Sequence, residues 1–186
     1  MLIPLRLSAL SDEQLMLRAA RNSDRAFEEL YNRHARRLQG FFARQLGDDR
    51  DLAADFMHDV FLRLYDARTR YREGSSFRAW LYAIAYNLCK NHLRNRLMLV
   101  YDDANDDVSD DADIELVMDE ETLHKALREV LLSLPEPYAM LFSLHYEEEL
   151  TVPQIAQITG LPEGTVKSRL HKVMMTIKQK LKQYED

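Results

Sequence analysis

The chain has 186 residues, 46% of them hydrophobic and 30% charged, with 25 Lys and Arg against 31 Asp and Glu and a formal net charge of −6. That balance is the reverse of the basic surface expected of a nucleic-acid-binding protein. A single cysteine, Cys89, excludes an intrachain disulfide framework and a multi-cysteine zinc site, and no apolar run reaches the ~20 residues of a membrane-spanning helix.

Five glycines and five prolines suit an all-α chain with short turns. Ser11 is placed to cap a helix from Asp12 to Arg21. A second helix is expected from about Asp24 to Leu46, with Phe27, Leu30, Tyr31, Leu38, Phe41 and Phe42 on its apolar side and Gly47 as its terminator. A third runs from Asp49 to about Tyr65. Leu52, Phe56, Val60 and Leu64, joined by Met57 and Phe61, form its apolar stripe. Asp55, His58, Asp59 and Leu62 form the outward one. Solvation explains the carboxylates well and Leu62 less well, and the mixture suits a docking surface for a partner helix.

Asp66 to Ser76 is a basic loop that contains Tyr71. A fourth helix is expected from about Phe77 to Leu97, with Cys89 in its core. It interleaves Trp80, Tyr82 and Tyr86 with Arg78, Lys90, Arg94 and Arg96. Buried aromatics are the ordinary explanation of such a segment. Rings beside cations are also how proteins hold unstacked bases, the rings stacking while Lys and Arg follow phosphates.

From Leu99 to Thr122 there are eleven acidic residues and no basic one. With those set aside, 25 basic residues face 20 acidic ones, so the rest of the chain is cationic. The acidic run marks a flexible linker, residues 99–119, between a domain of residues 1–98 and a domain of residues 120–186. A solvated spacer and a nucleic-acid mimic both fit it.

Residues 151 to 173 read as a helix, a tight turn and a second helix. Thr151 and Gln154 have the spacing of a capping box. Pro153 is tolerated in a first turn, Gly160 suits a helix exit, and Pro162 suits a helix start. Val166, Leu170, Val173, Ile177 and Leu181 repeat at helical spacing. Thr165, Ser168 and Lys172 are expected to point the other way, with Lys167, Arg169 and His171 on the flanks. An αα-hairpin with a solvated face accounts for the pattern, as does a helix-turn-helix whose second helix enters a major groove.

Four segments in this order resemble the sigma-70 family of RNA polymerase sigma factors, of the extracytoplasmic function (ECF) type. Asp51–Tyr65 (DLAADFMHDVFLRLY) and Ser76–Leu88 (SFRAWLYAIAYNL) are similar to sigma region 2. Leu134–Phe142 (LPEPYAMLF) and Gly164–Val173 (GTVKSRLHKV) are similar to sigma region 4. The resemblance implies two helical domains and a function in transcription initiation. Asp55, His58, Asp59 and Leu62 would dock on the β′ clamp helices of core RNA polymerase. Arg70, Tyr71, Arg72, Gly74, Ser75, Phe77, Arg78, Trp80, Tyr86, Asn87, Lys90, Asn91, Arg94 and Arg96 would open and hold the −10 promoter element, with Trp80 bracing the loop from behind. Thr165, Lys167, Ser168, Arg169, His171 and Lys172 would read the −35 element from a domain packed on the β flap.

The resemblance further implies an anti-sigma factor as regulatory partner. It implies no enzymatic activity, cofactor, metal, small-molecule substrate or membrane insertion, and a cytoplasmic location. The chain departs from the family's common pattern at His58, Tyr86 and Asn91, where glutamine, arginine and aspartate are usual, and at Met174 and Met175, where basic residues are frequent. A promoter sequence is therefore not transferable from a relative.

Overall fold

The computed structural model describes residues 6–97 and 120–182, and the side chains of 6–94 and 125–182. The acidic linker and the Arg96 side chain lie outside the described residues. The chain divides into two compact units between Leu97 and Met98. The described residues are helices and turns, with no strand among them.

The first unit consists of α1 (Asp12–Ala20), α2 (Asp24–Gln45), α3 (Arg50–Ala67) and α4 (Phe77–Leu97), with 3-10 turns at Leu7–Ala9 and Arg68–Arg70. Ser11 caps α1 as its sequence position predicts, and Gln14 completes a capping box: the Gln14 N–H donates to Ser11 Oγ (3.2 Å) and the Ser11 N–H to Gln14 Oε1 (3.1 Å). α2 gives way to a tight turn in which Gly47 (φ 71°) and Asp48 (φ 64°) both take the left-handed backbone. Asp49 then caps α3 by accepting from the Leu52 N–H at 3.0 Å.

The core of this unit joins Leu15 and Met16 of α1, Leu30, Leu38, Phe41 and Phe42 of α2, Val60 and Leu64 of α3, and Leu81, Tyr82 and Cys89 of α4, all buried. Aromatic edges lock it: Phe41 meets Tyr82 with centroids 5.4 Å apart, and Phe42 meets Phe56 at 5.4 Å. On α3 the buried stripe is Ala53, Met57, Val60, Phe61 and Leu64. Leu52 and Phe56, expected at its centre, are only half-buried at its edge.

The second unit consists of α5 (Glu120–Leu132), α6 (Glu136–Phe142), α7 (Val152–Thr159) and α8 (Glu163–Lys182). A π turn, Ser143–Glu147, follows α6. It is closed by the Glu148 N–H donating to Ser143 O at 2.9 Å. α8 is the long spine. Its C-terminal half carries Val173, Ile177 and Leu181 against Ala126 and Val130 of α5 and Phe142 of α6. Its N-terminal half buries Val166 and Leu170, and α7 contributes buried Ile155 and Ile158.

The turn between α7 and α8 follows the sequence closely. The Thr151–Gln154 capping box is present, with the Thr151 N–H donating to Gln154 Oε1 at 2.9 Å. Gly160 is left-handed (φ 74°), and its N–H donates to Ala156 O at 2.9 Å. The Thr159 hydroxyl donates to Ile155 O (2.8 Å) and accepts from the Leu161 N–H (3.3 Å), which stitches the turn. The geometry is a helix-turn-helix.

Candidate nucleic-acid interface and docking face

Three surfaces carry the candidate residues. The first is on α3. Burying Ala53, Met57, Val60 and Leu64 leaves Asp55, His58, Asp59 and Leu62 on the opposite side, because those positions lie about half a turn away. Asp55 and His58 are exposed and Leu62 is 65% exposed. The His58 ring lies nearly parallel to Tyr31 of α2, centroids 6.2 Å apart. Arg63 grips Asp59 through two bonds of 2.9 Å. The pairing sets the Asp59 carboxylate directly beside a guanidinium.

The second surface is the 68–76 loop with α4. Arg70, Arg72, Glu73, Gly74 and Ser75 are exposed. Tyr71 is not: its ring is 9% exposed and stacks on Trp80, centroids 5.5 Å apart and 28° between planes. Its hydroxyl donates to Ser75 O. Burial, with Glu13 and Asp12 nearby, pushes the phenol up to about 12. The expected open stacking face is thus turned inward, where it braces the loop together with Trp80.

Phe77 is a second correction. It is fully buried, its ring 5.2 Å from His34, so it belongs to the core rather than to a DNA-facing set. His34 itself is held below its ordinary range, chiefly by burial, against the opposing pull of Asp12 at 2.7 Å. Arg78 is half-buried on this same side, close enough to His34 to add to that depression. It stands apart from Asn87, Lys90, Asn91 and Arg94, which share one exposed face of α4. Tyr86 is half-buried beneath Lys90, whose Nζ sits 5.9 Å from the ring centre.

The third surface is α8. Its outward face is centred on Lys167, Ser168 and His171, all exposed. Thr165, Arg169 and Lys172 are half-buried at its flanks. This corrects the expected arrangement, in which Lys172 was central and Lys167 and His171 were flanking. The Lys172 Nζ instead lies 5.8 Å from the Tyr138 ring of α6.

Sequence reasoning missed the residues that hold the loop. Arg68 donates to Tyr65 O (2.7 Å) and Asn22 Oδ1 (3.3 Å) and lies 3.9 Å from the centre of the Tyr65 ring. The Tyr65 hydroxyl donates to Asp24 (3.0 Å), and the Phe77 N–H to Glu13 Oε1 (3.4 Å). Apart from the Arg68–Tyr65 contacts, which are local, these partners lie more than forty residues apart in the chain, so no local pattern could have announced them.

A cationic helical unit joined in one chain to a helix-turn-helix unit is the construction of a sigma factor of RNA polymerase. The family models agree: Sigma-70 region 2 matches residues 30–97 and Sigma-70, region 4 matches residues 124–177. Similar proteins include the RNA polymerase sigma-H factor of Pseudomonas aeruginosa, 29% identical over 91% of this chain and 93% of its own. The ECF RNA polymerase sigma-E factor of Haemophilus influenzae is also 29% identical, over 92% of this chain and 96% of its own. Two solved structures share the fold. One is CnrH in complex with the cytosolic domain of CnrY, with a TM-score of 0.68, 22% identity, and coverage of 92% of this chain and 97% of CnrH. The other is the sigma factor RpoE of Bartonella quintana in complex with the anti-sigma factor NepR, with a TM-score of 0.62, 19% identity, and coverage of 84% and 96%. The chain belongs to the sigma-70 family of RNA polymerase sigma factors, of the extracytoplasmic function type.

Among the described residues there is no cluster of His, Cys, Asp and Glu able to hold a metal, and no helix long and apolar enough to cross a membrane.

Proposed function

We propose that the chain binds core RNA polymerase and directs initiation at promoters that it recognises itself. In this reading the α3 face of Asp55, His58, Asp59 and Leu62 docks on the β′ clamp helices, and the second unit packs on the β flap. α8 enters the major groove of the −35 element with Lys167, Ser168 and His171 foremost. The exposed loop arginines, with Asn87, Lys90, Asn91 and Arg94 of α4, take the opened −10 strand. An anti-sigma factor is proposed as the regulatory partner, in line with the NepR complex of the Bartonella protein.

The observation that carries this reading is the coexistence of two unlike surfaces in one small chain. A helix-turn-helix with a polar, basic outer face suffices for a regulator of duplex DNA. It leaves unexplained why the first unit exposes Leu62 among carboxylates on α3. A polymerase subunit accounts for both. Run-off transcription with core polymerase tests it on a genomic library of promoter fragments. The expected outcome is promoter-specific transcripts only when the chain is added. Specific duplex binding with no transcript at any fragment it binds would instead identify a regulator that works without polymerase.

A further inference from the structure

The loop between α3 and α4 is closed before any nucleic acid reaches it. At its start, the Tyr71 N–H donates to Arg68 O (3.1 Å). At its crest, the Ser75 N–H donates to Arg72 O (3.2 Å), and Gly74 takes φ 84° to make the bend. The Tyr71 hydroxyl crosses the loop to Ser75 O. At its end, Ser76 Oγ caps α4 by accepting from the Ala79 N–H (3.2 Å). The Phe77 N–H is taken by the carboxylate of Glu13, which belongs to α1.

Glu13 is the unexpected member. A helix N-terminus, with unpaired N–H groups and a partial positive charge, is a ready seat for a phosphate. Here a carboxylate occupies it, on a helix whose exposed side carries Lys90 and Arg94. A carboxylate at the head of a helix read as meeting phosphates along its far half works against that role, and α4 already has a cap in Ser76. We propose that Glu13 and the Tyr71 hydroxyl are positioning residues for strand opening: together they fix the loop backbone, exclude a phosphate from the head of α4, and so direct the incoming strand to Arg70 and Arg72. Ordering a loop during binding costs conformational entropy at each residue, and a loop ordered in advance avoids that cost. α1, remote in sequence, thereby sets the geometry of the opening loop. The inference rests on the reading of this loop as the one that holds the opened strand.

The test uses holoenzyme assembled from the full chain, on a linear duplex promoter and on the same promoter with a pre-melted −10 bubble. Opening is followed by permanganate reactivity of thymines. Tyr71→Phe keeps the ring on Trp80 and removes only the O–H donor. Glu13→Ala removes the acceptor, and Glu13→Gln restores an oxygen there. Tyr71→Phe and Glu13→Ala are each expected to slow duplex opening about five- to tenfold, the effect of one net hydrogen bond. Glu13→Gln should open DNA close to the parent rate. The bubble template, polymerase affinity and thermal unfolding should stay at parent values. Parent-rate opening by both variants overturns the inference. So does an equal loss on the bubble template, or a loss that tracks a fall in unfolding temperature. A triple exchange of Arg70, Tyr71 and Arg72 to alanine separates this inference from the reading beneath it. Normal opening by the triple variant removes the loop from strand opening altogether. Failure of the triple variant alongside normal Tyr71→Phe and Glu13→Ala removes only the positioning role.

Discussion

Two glycines four residues apart in the helix-turn-helix have opposite reasons for being there. Gly160 sits at φ 74°, a conformation that costs an L side chain about 1–2 kcal/mol even with open space around it. Gly164 lies inside α8 with right-handed backbone and nothing within 4 Å of an added Cβ. Gly160→Ala is therefore expected to destabilise the second unit by about 1 kcal/mol. Gly164→Ala should stabilise it by up to about 0.5 kcal/mol, since Gly164 stands in the first turn of α8, where the cost of glycine is less than in a helix interior. Urea denaturation followed by circular dichroism measures both, and shifts of the same sign would contradict the assigned backbone. The capping residues Ser11 and Thr151 were legible for a related reason: each acts on an N–H three residues away, as does Asp49, which the sequence pattern places as the first helical residue. Tyr71 and Phe77 were not legible as core residues, because their burial comes from Trp80, α1 and His34 rather than from their neighbours in the chain.

For whole elements, periodicity decides which side of a helix is buried but leaves its rotation open by a fraction of a turn. On α8 all five predicted apolar positions are buried. The outward face is nonetheless centred nearer Lys167 and His171 than Lys172, whose amine is drawn to Tyr138 of α6. That difference separates the roles of the lysines. Lys167→Ala is expected to weaken binding to all duplexes alike and to reduce the slope of log affinity against log salt by about one. Lys172→Ala should leave that slope nearly unchanged. Fluorescence anisotropy over a salt series gives both slopes. A slope carried by Lys172 instead would mean that α8 enters the groove rotated from the face described above.

Over the whole molecule, the net charge of −6 conceals a cationic body with eleven acidic residues gathered in one stretch. The proposed division of labour between the units rests on surface chemistry. Carboxylates and Leu62 face outward on α3, while Lys, Ser and His face outward on α8. Asp55→Arg combined with Asp59→Arg is accordingly expected to weaken core-polymerase affinity at least tenfold, equivalent to about 1.4 kcal/mol. Both side chains are solvent-accessible and the Asp59–Arg63 pair is partly exposed, so stability should change little. Pull-down with core polymerase, with circular dichroism as control, measures the two quantities. Undiminished affinity would remove this face from docking.

The sequence by itself determined the helical class, the helix-turn-helix with its caps and glycine exit, the limits of α4, and the four family motifs in order. Those features depend on contacts within a few residues or on the 3.6-residue period, and both can be read along a chain. Only the tertiary structure decided that Ala53 rather than Leu52 is buried on α3 and that Tyr71 faces inward. It alone showed that half-buried Arg78 acts on His34, apart from exposed Lys90 and Arg94. It also showed that Glu13 closes the head of α4. Each of these outcomes is set by packing between elements distant in sequence. The free energy of such packing depends on which surfaces meet, and no local pattern encodes it.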